Sequence, residues 1–406
     1  MDVALANMVL FPLIAVAAPL LATFIGRVVR IPLVVFEILL GLLLGPAVLG
    51  WLVVSDFTAL LADLGLAMLF FLAGSEINFA AVAGRPLRRA TLGWLISLVA
   101  GVGVGILLAP TVGAGVFIGV ALTSTALGTL LPVLRDAGEL TTPFGLAVLA
   151  VGAVGEFGPL VAISLFLSGR SPLTAALVLV AFVLIAGGGI WLAAKGHGRR
   201  LHRIITASLH TSGQFAVRLV MFLLLGLAAL SIAFGLDMLL GAFAAGVLFR
   251  LVLVGAPEKD VEAVESKLEA VGYGFLVPIF FIHTGVTFDL EALLADPRSL
   301  ALLPVFLVLF LVVRGLPSSL ATPPGASRSD RTALTILGAT GLPIIVAVTN
   351  IGIDQGDITT GTAASLVGAG LLSVLLFPLI GLAIHKRSSG RVETHPESDA
   401  FIDEEG

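Results

Sequence analysis

Few side chains in this 406-residue chain can do chemistry, and most of them stand inside apolar runs. The segment Val151–Leu160, V-G-A-V-G-E-F-G-P-L, carries one carboxylate, Glu156, in an apolar run from Gly145 to Leu167. A helix needs about 20 residues to cross a bilayer, and Glu156 is the twelfth of this run, so it falls near the midplane. A carboxylate there costs at least a few kcal/mol unless it is paired, hydrated or protonated, which makes it a working residue by default. A second run, G-V-A-L-T-S-T-A-L-G-T-L-L-P-V-L, has Thr123, Ser124 and Thr125 at its centre, with Gly128 and Pro132 beyond. Three hydroxyls before a Gly and a Pro suit a locally unwound helix, although Ser and Thr also bond their own carbonyls in an intact one. A third, T-A-L-T-I-L-G-A-T-G-L-P-I-I-V-A-V-T-N, clusters Gly338, Thr340, Gly341 and Pro343. Pro343 removes a hydrogen bond and crowds the preceding turn, so a break is expected there. Arg314, in F-L-V-V-R-G-L-P, needs compensation from Glu156 or from the negative ends of broken helices, unless it snorkels to the surface.

Other polar positions carry plainer readings. Glu37 and Arg218 each lie roughly six residues from the same end of their runs, about 9 Å deep, which suggests a structural ion pair. His283 is a candidate titrating group, packing being the commoner role of a lone intramembrane histidine. Glu76, Asp237 and Asp289 sit at run ends and are read as solvated.

The elements that must position these residues are membrane spans. The chain is 58% hydrophobic and 12% charged, with a mean hydropathy of +1.13, whereas soluble domains carry roughly 25% charged residues. It has no cysteine, hence no disulfide or thiol chemistry; its net charge of −4 is small and says nothing about nucleic acid, and no nucleic-acid partner is expected. The first run has no basic leader and reads as a true span rather than a signal peptide. Thirteen apolar runs are discernible, at about 8–26, 31–50, 58–74, 91–109, 111–134, 145–167, 173–194, 213–233, 236–254, 271–286, 300–320, 332–351 and 362–384. Alternate loops hold 18 Lys and Arg on one side and only Arg170 and Arg298 on the other. The positive-inside rule then places the amino terminus outside and the carboxyl terminus in the cytoplasm. The fifth and twelfth runs, both expected to break, lie seven apart and so run oppositely. That is the signature of an inverted repeat, spans 1–6 and 8–13, joined by span 7 and the basic segment Lys195–Arg203. The expected fold is all-α and polytopic, with two broken crossing helices. The residues after Arg391 read as a short acidic disordered tail, too short for a nucleotide-binding regulatory domain.

The sequence resembles the Kef-type branch of the monovalent cation:proton antiporters. The likeness rests on I-P-L-V-V-F-E-I-L-L-G-L-L-L-G-P (Ile31–Pro46), D-L-G-L-A-M-L-F-F-L-A-G-S-E-I (Asp63–Ile77), T-S-T-A (Thr123–Ala126), G-A-F-A-A-G (Gly241–Gly246) and P-I-F-F-I-H-T-G (Pro278–Gly285). Each pattern is loose, but their order and spacing are specific. The resemblance implies a homodimer in the cell membrane. It also implies dimerisation helices at 1–90 and 213–290 and a mobile transport core at 91–170 and 291–388. Residues 171–212 would be the linker, and 389–406 the tail. The acidic ligand maps to Glu156 and the cationic residue of the eleventh span to Arg314. The sequence departs from the family beside Glu156: relatives have an acidic or amide neighbour, and here it is Gly155.

The expected activity is electroneutral exchange of Na+ or K+ for H+ by an elevator movement. Glu156 would bind one or the other, with Thr123, Ser124 and Thr125 completing an oxygen shell. No cofactor is called for beyond the transported ions. A cation channel or another proton-coupled solute transporter is the alternative. An enzyme is disfavoured, because no H-E-x-x-H, G-x-S-x-G or intramembrane aspartate pair occurs.

Overall fold

The computed structural model describes residues 3–25, 31–77, 82–167, 171, 173–188, 214–253 and 257–392. Every regular element among them is helical. Nine helices are long and apolar enough to cross a membrane, and four shorter apolar ones accompany them: Leu33–Leu44, Val112–Ala121, Leu173–Gly188 and Met238–Val252. The basic segment Lys195–Arg203 and the acidic tail lie outside the described residues.

In chain order the helices are α1 (Val3–Ile25), α2 (Leu33–Leu44), α3 (Asp56–Glu76), α4 (Arg85–Leu108), α5 (Val112–Ala121), α6 (Leu127–Ala137) and α7 (Pro143–Phe166). There follow α8 (Leu173–Gly188), α9 (Phe215–Ala233), α10 (Met238–Val252), α11 (Glu258–Val271), α12 (Val277–Val286), α13 (Leu290–Ala295) and α14 (Pro297–Leu309). The last are α15 (Arg328–Gly338), α16 (Pro343–Asp354) and α17 (Thr360–Val392).

Local chemistry sets several of these limits. Ser55 and Ser327 open α3 and α15 with capping boxes, satisfying amides that the first turn leaves without intrahelical partners. Thr142 caps α7, with Pro143 at its first position, where the missing N–H is no loss. Gly138 ends α6 at φ 75°, a left-handed conformation that favours glycine. Two of the polar run ends also serve as caps: half-buried Asp237 accepts from Leu239 N–H, and Asp289, exposed at its run end, from Ala292 N–H, both at 2.8 Å.

Two sets of helices pack among themselves. In one, α3 lies against α10 and α12, α2 against α12 and α1, and α9 against α10. In the other, α4 lies against α5 and α7, α17 against α14 and α15, and α16 against α5. Small residues allow the closest approaches. On α4, Gly101 and Gly105 face Gly115 and Gly119 of α5, and a Cβ on any of the four would collide with backbone of the partner helix.

The ion pair expected between Glu37 and Arg218 is not formed. Glu37 is buried on α2, which packs on α12 and α1, whereas Arg218 is exposed on the first turn of α9, which packs on α10. Similar depth brought the two together on paper, but their helices belong to different contacts.

Candidate functional site

Both interruptions of the helical pattern lie beside Glu156. The first leaves residues 122–126 outside α5 and α6, and the second leaves 339–342 outside α15 and α16. Interrupted helices expose backbone groups that must find partners in the protein. The first is supplied by α7, where Pro159 stands inside the helix and has no N–H to give the carbonyl four residues back. That carbonyl belongs to Gly155, and it accepts the Thr125 N–H at 2.9 Å. The two breaks then bond each other: Ala126 N–H donates to Thr340 O at 2.7 Å, and the Thr125 hydroxyl to Gly338 O at 2.6 Å. From α17, the Ser373 hydroxyl accepts the Gly341 N–H at 3.1 Å.

Arg314 completes this knot. A π-turn over Phe310–Gly315 interrupts the helix before Pro317 and carries Arg314, which is fully buried. Its Nε donates to the Thr125 hydroxyl and its Nη2 to Val151 O, each at 2.8 Å, while Nη1 has no hydrogen-bond partner. Of the two compensations expected, Glu156 or the negative ends of the broken helices, Glu156 makes no direct pair with it. The guanidinium lies against the backbone of α7, in the space that Gly155 leaves open, and uses a carbonyl and a hydroxyl instead.

Glu156 itself is fully buried, and no side chain hydrogen-bonds either carboxylate oxygen. The N–H groups of Leu127 and Gly128, in the first turn of α6, face it. A helix N-terminus carries partial positive charge, so this end of α6 is the compensation the fold provides. Thr123 and Ser124 are turned elsewhere: their hydroxyls donate to Val120 O at 2.8 Å and Ala121 O at 3.0 Å. None of the three consecutive hydroxyls bonds the carboxylate. The Thr340 hydroxyl is buried without a partner. His283, half-buried on α12 with Nδ1 unpartnered, lies on the other set of helices, as does Glu37.

A residue read as solvated proves to belong beside the site. Both carboxylate oxygens of Glu76 are buried and lack hydrogen-bond partners. Glu76 lines a cavity of about 270 Å³ that reaches Leu127, and a second of about 210 Å³ with Arg135, Arg250, Glu265 and Glu269. Arg135 approaches Glu269 at 3.6 Å and Glu76 at 4.0 Å, and Arg250 pairs with Glu265 at 2.7 Å. The first cavity reaches the α6 terminus that faces Glu156, with Glu76 and Thr141 as the polar side chains of its lining. By contrast, a cavity of about 300 Å³ bounded by α8, α9 and α10 is lined by apolar side chains alone and offers nothing to hold an ion. The sequence signal for Glu76 was its place at the end of the quoted A-G-S-E-I motif. Its end position argued for solvation, and only the packing of α10 and α6 on α3 removes it from water. Among the described residues, no three His, Cys, Asp or Glu side chains gather to hold a metal ion.

Comparison with known proteins places this arrangement. The family profile described as sodium/hydrogen exchanger, transmembrane, matches residues 13–383. YjbQ of Bacillus subtilis (strain 168) is 26% identical over 391 residues, across 92% of this chain and 61% of its own length. A Na+/H+ antiporter of Enterococcus hirae is 26% identical over 385 residues, across 89% of this chain and 94% of its own. The chain spans about three fifths of YjbQ and about half of cation/H+ antiporter 19 of Arabidopsis thaliana, at 49%. The structure of the sodium proton antiporter MjNhaP1 from Methanocaldococcus jannaschii at pH 8 superposes with a TM-score of 0.65. It covers 97% of this chain and 98% of its own, at 18% identity, a likeness of fold.

Proposed function

Because the chain belongs to the sodium/hydrogen exchanger family, we propose that it is a secondary transporter exchanging Na+ or K+ for H+, with Glu156 as the carboxylate the two share. The observation that carries this reading is the state of that side chain. It is fully buried, no side chain bonds its oxygens, only the first-turn N–H groups of α6 face them, and it stands beside the first interrupted helix, which is bonded to the second. A bare carboxylate at that depth is costly, and either a proton or a monovalent cation relieves the cost. Competition for one group suffices for exchange: the loaded site crosses and the empty charged site does not. With Gly155 beside it there is no carboxylate at the adjoining position, and exchange through Glu156 alone is one for one and electroneutral.

The wider reading follows the sequence. The chain is of the Kef-type branch, with 13 spans in two inverted repeats of six about a linker helix. It forms a homodimer in the cell membrane, with the amino terminus outside. Spans 4–6 and 11–13 form the moving core, and spans 1–3 and 8–10 the dimerisation scaffold, so that the core carries Glu156 across by an elevator movement. Glu76 and the cavities it lines form the cytoplasmic approach. Opened carbonyls of the breaks supply oxygen to the cation, with Thr123, Ser124 and Thr125 as the neighbouring hydroxyls. Arg314 sets the charge around them.

The test is exchange in proteoliposomes loaded with a pH-sensitive dye, adding Na+, K+, Li+ and Rb+ in turn. Wild type collapses a proton gradient on addition of its cation, and the rate at fixed gradients is insensitive to an imposed membrane potential. Glu156→Gln assembles but does not exchange. Exchange surviving in Glu156→Gln removes that residue from its role, and a response to the potential overturns electroneutrality.

A further inference from the structure

Tyr273 is the one tyrosine of the chain, and it stands on a π-turn, Gly272–Leu276, between α11 and α12. Two such turns occur among the described residues, and the other carries Arg314. A proline follows each of them, Pro278 and Pro317, and it cannot donate to the carbonyl four residues back. Turns of this kind are rare and gather at functional sites. Like Arg314, Tyr273 brings in a buried polar atom that is left over: its hydroxyl has no hydrogen-bond partner. The turn packs on α3, where Gly272 meets Leu72 and Met68, and Leu72 is one helical turn before Glu76. The hydroxyl lies within the field of Glu76 above all, and of Glu156, Glu269 and Arg135.

Three buried oxygens are thus gathered without hydrogen bonds, two from Glu76 and one from Tyr273. Buried polar groups are bonded in the great majority of cases, and each exception calls for a water, an ion or a chemical task. A phenol can satisfy a carboxylate by donating to it, but no such bond forms here. The groups stand farther apart than a hydrogen bond and yet within each other's field, as ligands do about a shared cation.

The charges around them are out of balance by one. The cavity of about 210 Å³ that Glu76 lines is bordered by three carboxylates, Glu76, Glu265 and Glu269, and by two guanidiniums, Arg135 and Arg250. Arg250 is engaged with Glu265 at 2.7 Å. Arg135 is shared between Glu269 at 3.6 Å and Glu76 at 4.0 Å. One negative charge is left over. It falls on Glu76, whose side chain is 13% exposed, against 33% for Glu265 and 37% for Glu269. Buried charges are paired or hold a metal ion. Ser75 borders the same cavity, and its hydroxyl donates to Leu72 O at 2.8 Å, so its lone pairs remain free to face a cation. A single surplus charge among neutral oxygens matches a monovalent ion.

We propose that the Glu76 carboxylate and the Tyr273 hydroxyl form a second binding station for the monovalent cation, reached from this cavity and standing ahead of Glu156. Glu76 and Tyr273 belong to the set of helices built on α3 and α12, whereas Glu156 is on α7 in the other set. In the movement proposed above the station stays in place and delivers its ion to Glu156. It adds a binding step without adding a charge to what crosses, so exchange remains one for one. The inference rests on the exchange reading, since the ion held at the station is the one exchanged.

The test pairs a binding readout with a functional one. Fluorotyrosine incorporated into the full chain gives a single fluorine NMR signal, because there is one tyrosine. The protein in nanodiscs is titrated at pH 7 with NaCl or KCl against N-methylglucamine chloride at constant ionic strength. In wild type the signal should shift saturably with Na+ or K+. The shift should persist in Glu156→Gln and vanish in Glu76→Gln. Glu76→Asp keeps the charge but withdraws it by one methylene; it should weaken half-saturation, and it serves if Glu76→Gln does not fold. In proteoliposomes, Tyr273→Phe should raise the cation concentration for half-maximal exchange about tenfold, the loss of one contact to a charged group, with a smaller effect on the rate at saturation. A signal that ignores both salts in wild type, a shift unchanged by the Glu76 substitutions, a shift lost in Glu156→Gln, or a half-maximal concentration unmoved in Tyr273→Phe overturns the proposal. Absence of exchange in wild type would refute the transport reading alone, since the fluorine signal reports occupancy of the station without it.

Discussion

Arg314 stands in the space that a side chain at Gly155 would need. A Cβ built on Gly155 comes within 2.5 Å of Arg314 Nη2 and 2.5 Å of the Thr125 hydroxyl. The residue beside Glu156 is therefore small because its neighbours converge on the helix backbone. In this chain the position that holds an acidic or amide partner in the resembled family is filled from outside by a guanidinium. Gly155→Ala should displace Arg314 or Thr125 and destabilise the protein by about 1–3 kcal/mol, the range for an overpacked core. Thermal unfolding in detergent checks this, and an unchanged midpoint would show that the knot yields freely.

Thr125 is the hinge of that knot, since its hydroxyl accepts from Arg314 and donates to Gly338 O. Thr125→Val keeps the shape and removes both bonds, leaving a buried guanidinium N–H and a carbonyl without partners. A loss of about 2–4 kcal/mol is expected, one to three for each stranded group less some relaxation. Thr125→Ser should recover most of it. Equal stability of the Val and Ser variants would contradict the assignment.

Arg218 should tolerate replacement. It is exposed and makes no ion pair with Glu37, so Arg218→Gln should alter stability by no more than about 0.5 kcal/mol, as for surface changes generally. The Glu37→Gln/Arg218→Gln double variant should show no coupling energy in a double-mutant cycle. A coupling of about 1.5 kcal/mol or more, the size of a hydrogen bond to a charged group, would restore the pair.

What could be read from the chain alone was what depends on near neighbours in sequence. The apolar runs reveal helices because length and composition are local. The Gly338–Pro343 cluster marks an interruption because proline acts on its own turn. Partnerships across the bundle were not legible in the same way. Glu37 and Arg218 matched in depth and sign and yet sit in separate contacts. Glu76 looked terminal and is buried by α6 and α10. Glu76 and Tyr273 lie far apart in the chain, and no spacing rule connects them. Pro159 was visible as a proline within an apolar run, but that its freed carbonyl would receive Thr125 N–H depends on how α7 and the first interruption meet.

The fastening between α7 and the two interruptions is made largely by main chain: Thr125 N–H to Gly155 O, and Ala126 N–H to Thr340 O. Peptide groups are the same whatever side chains they carry. Mutation can therefore rewrite much of these segments without erasing the junction, provided that neither 125 nor 126 becomes proline and that Pro159 continues to leave the Gly155 carbonyl free. Such a joint is heritable through wide sequence drift. It offers a physical reason why this chain and MjNhaP1, at 18% identity, can share one fold.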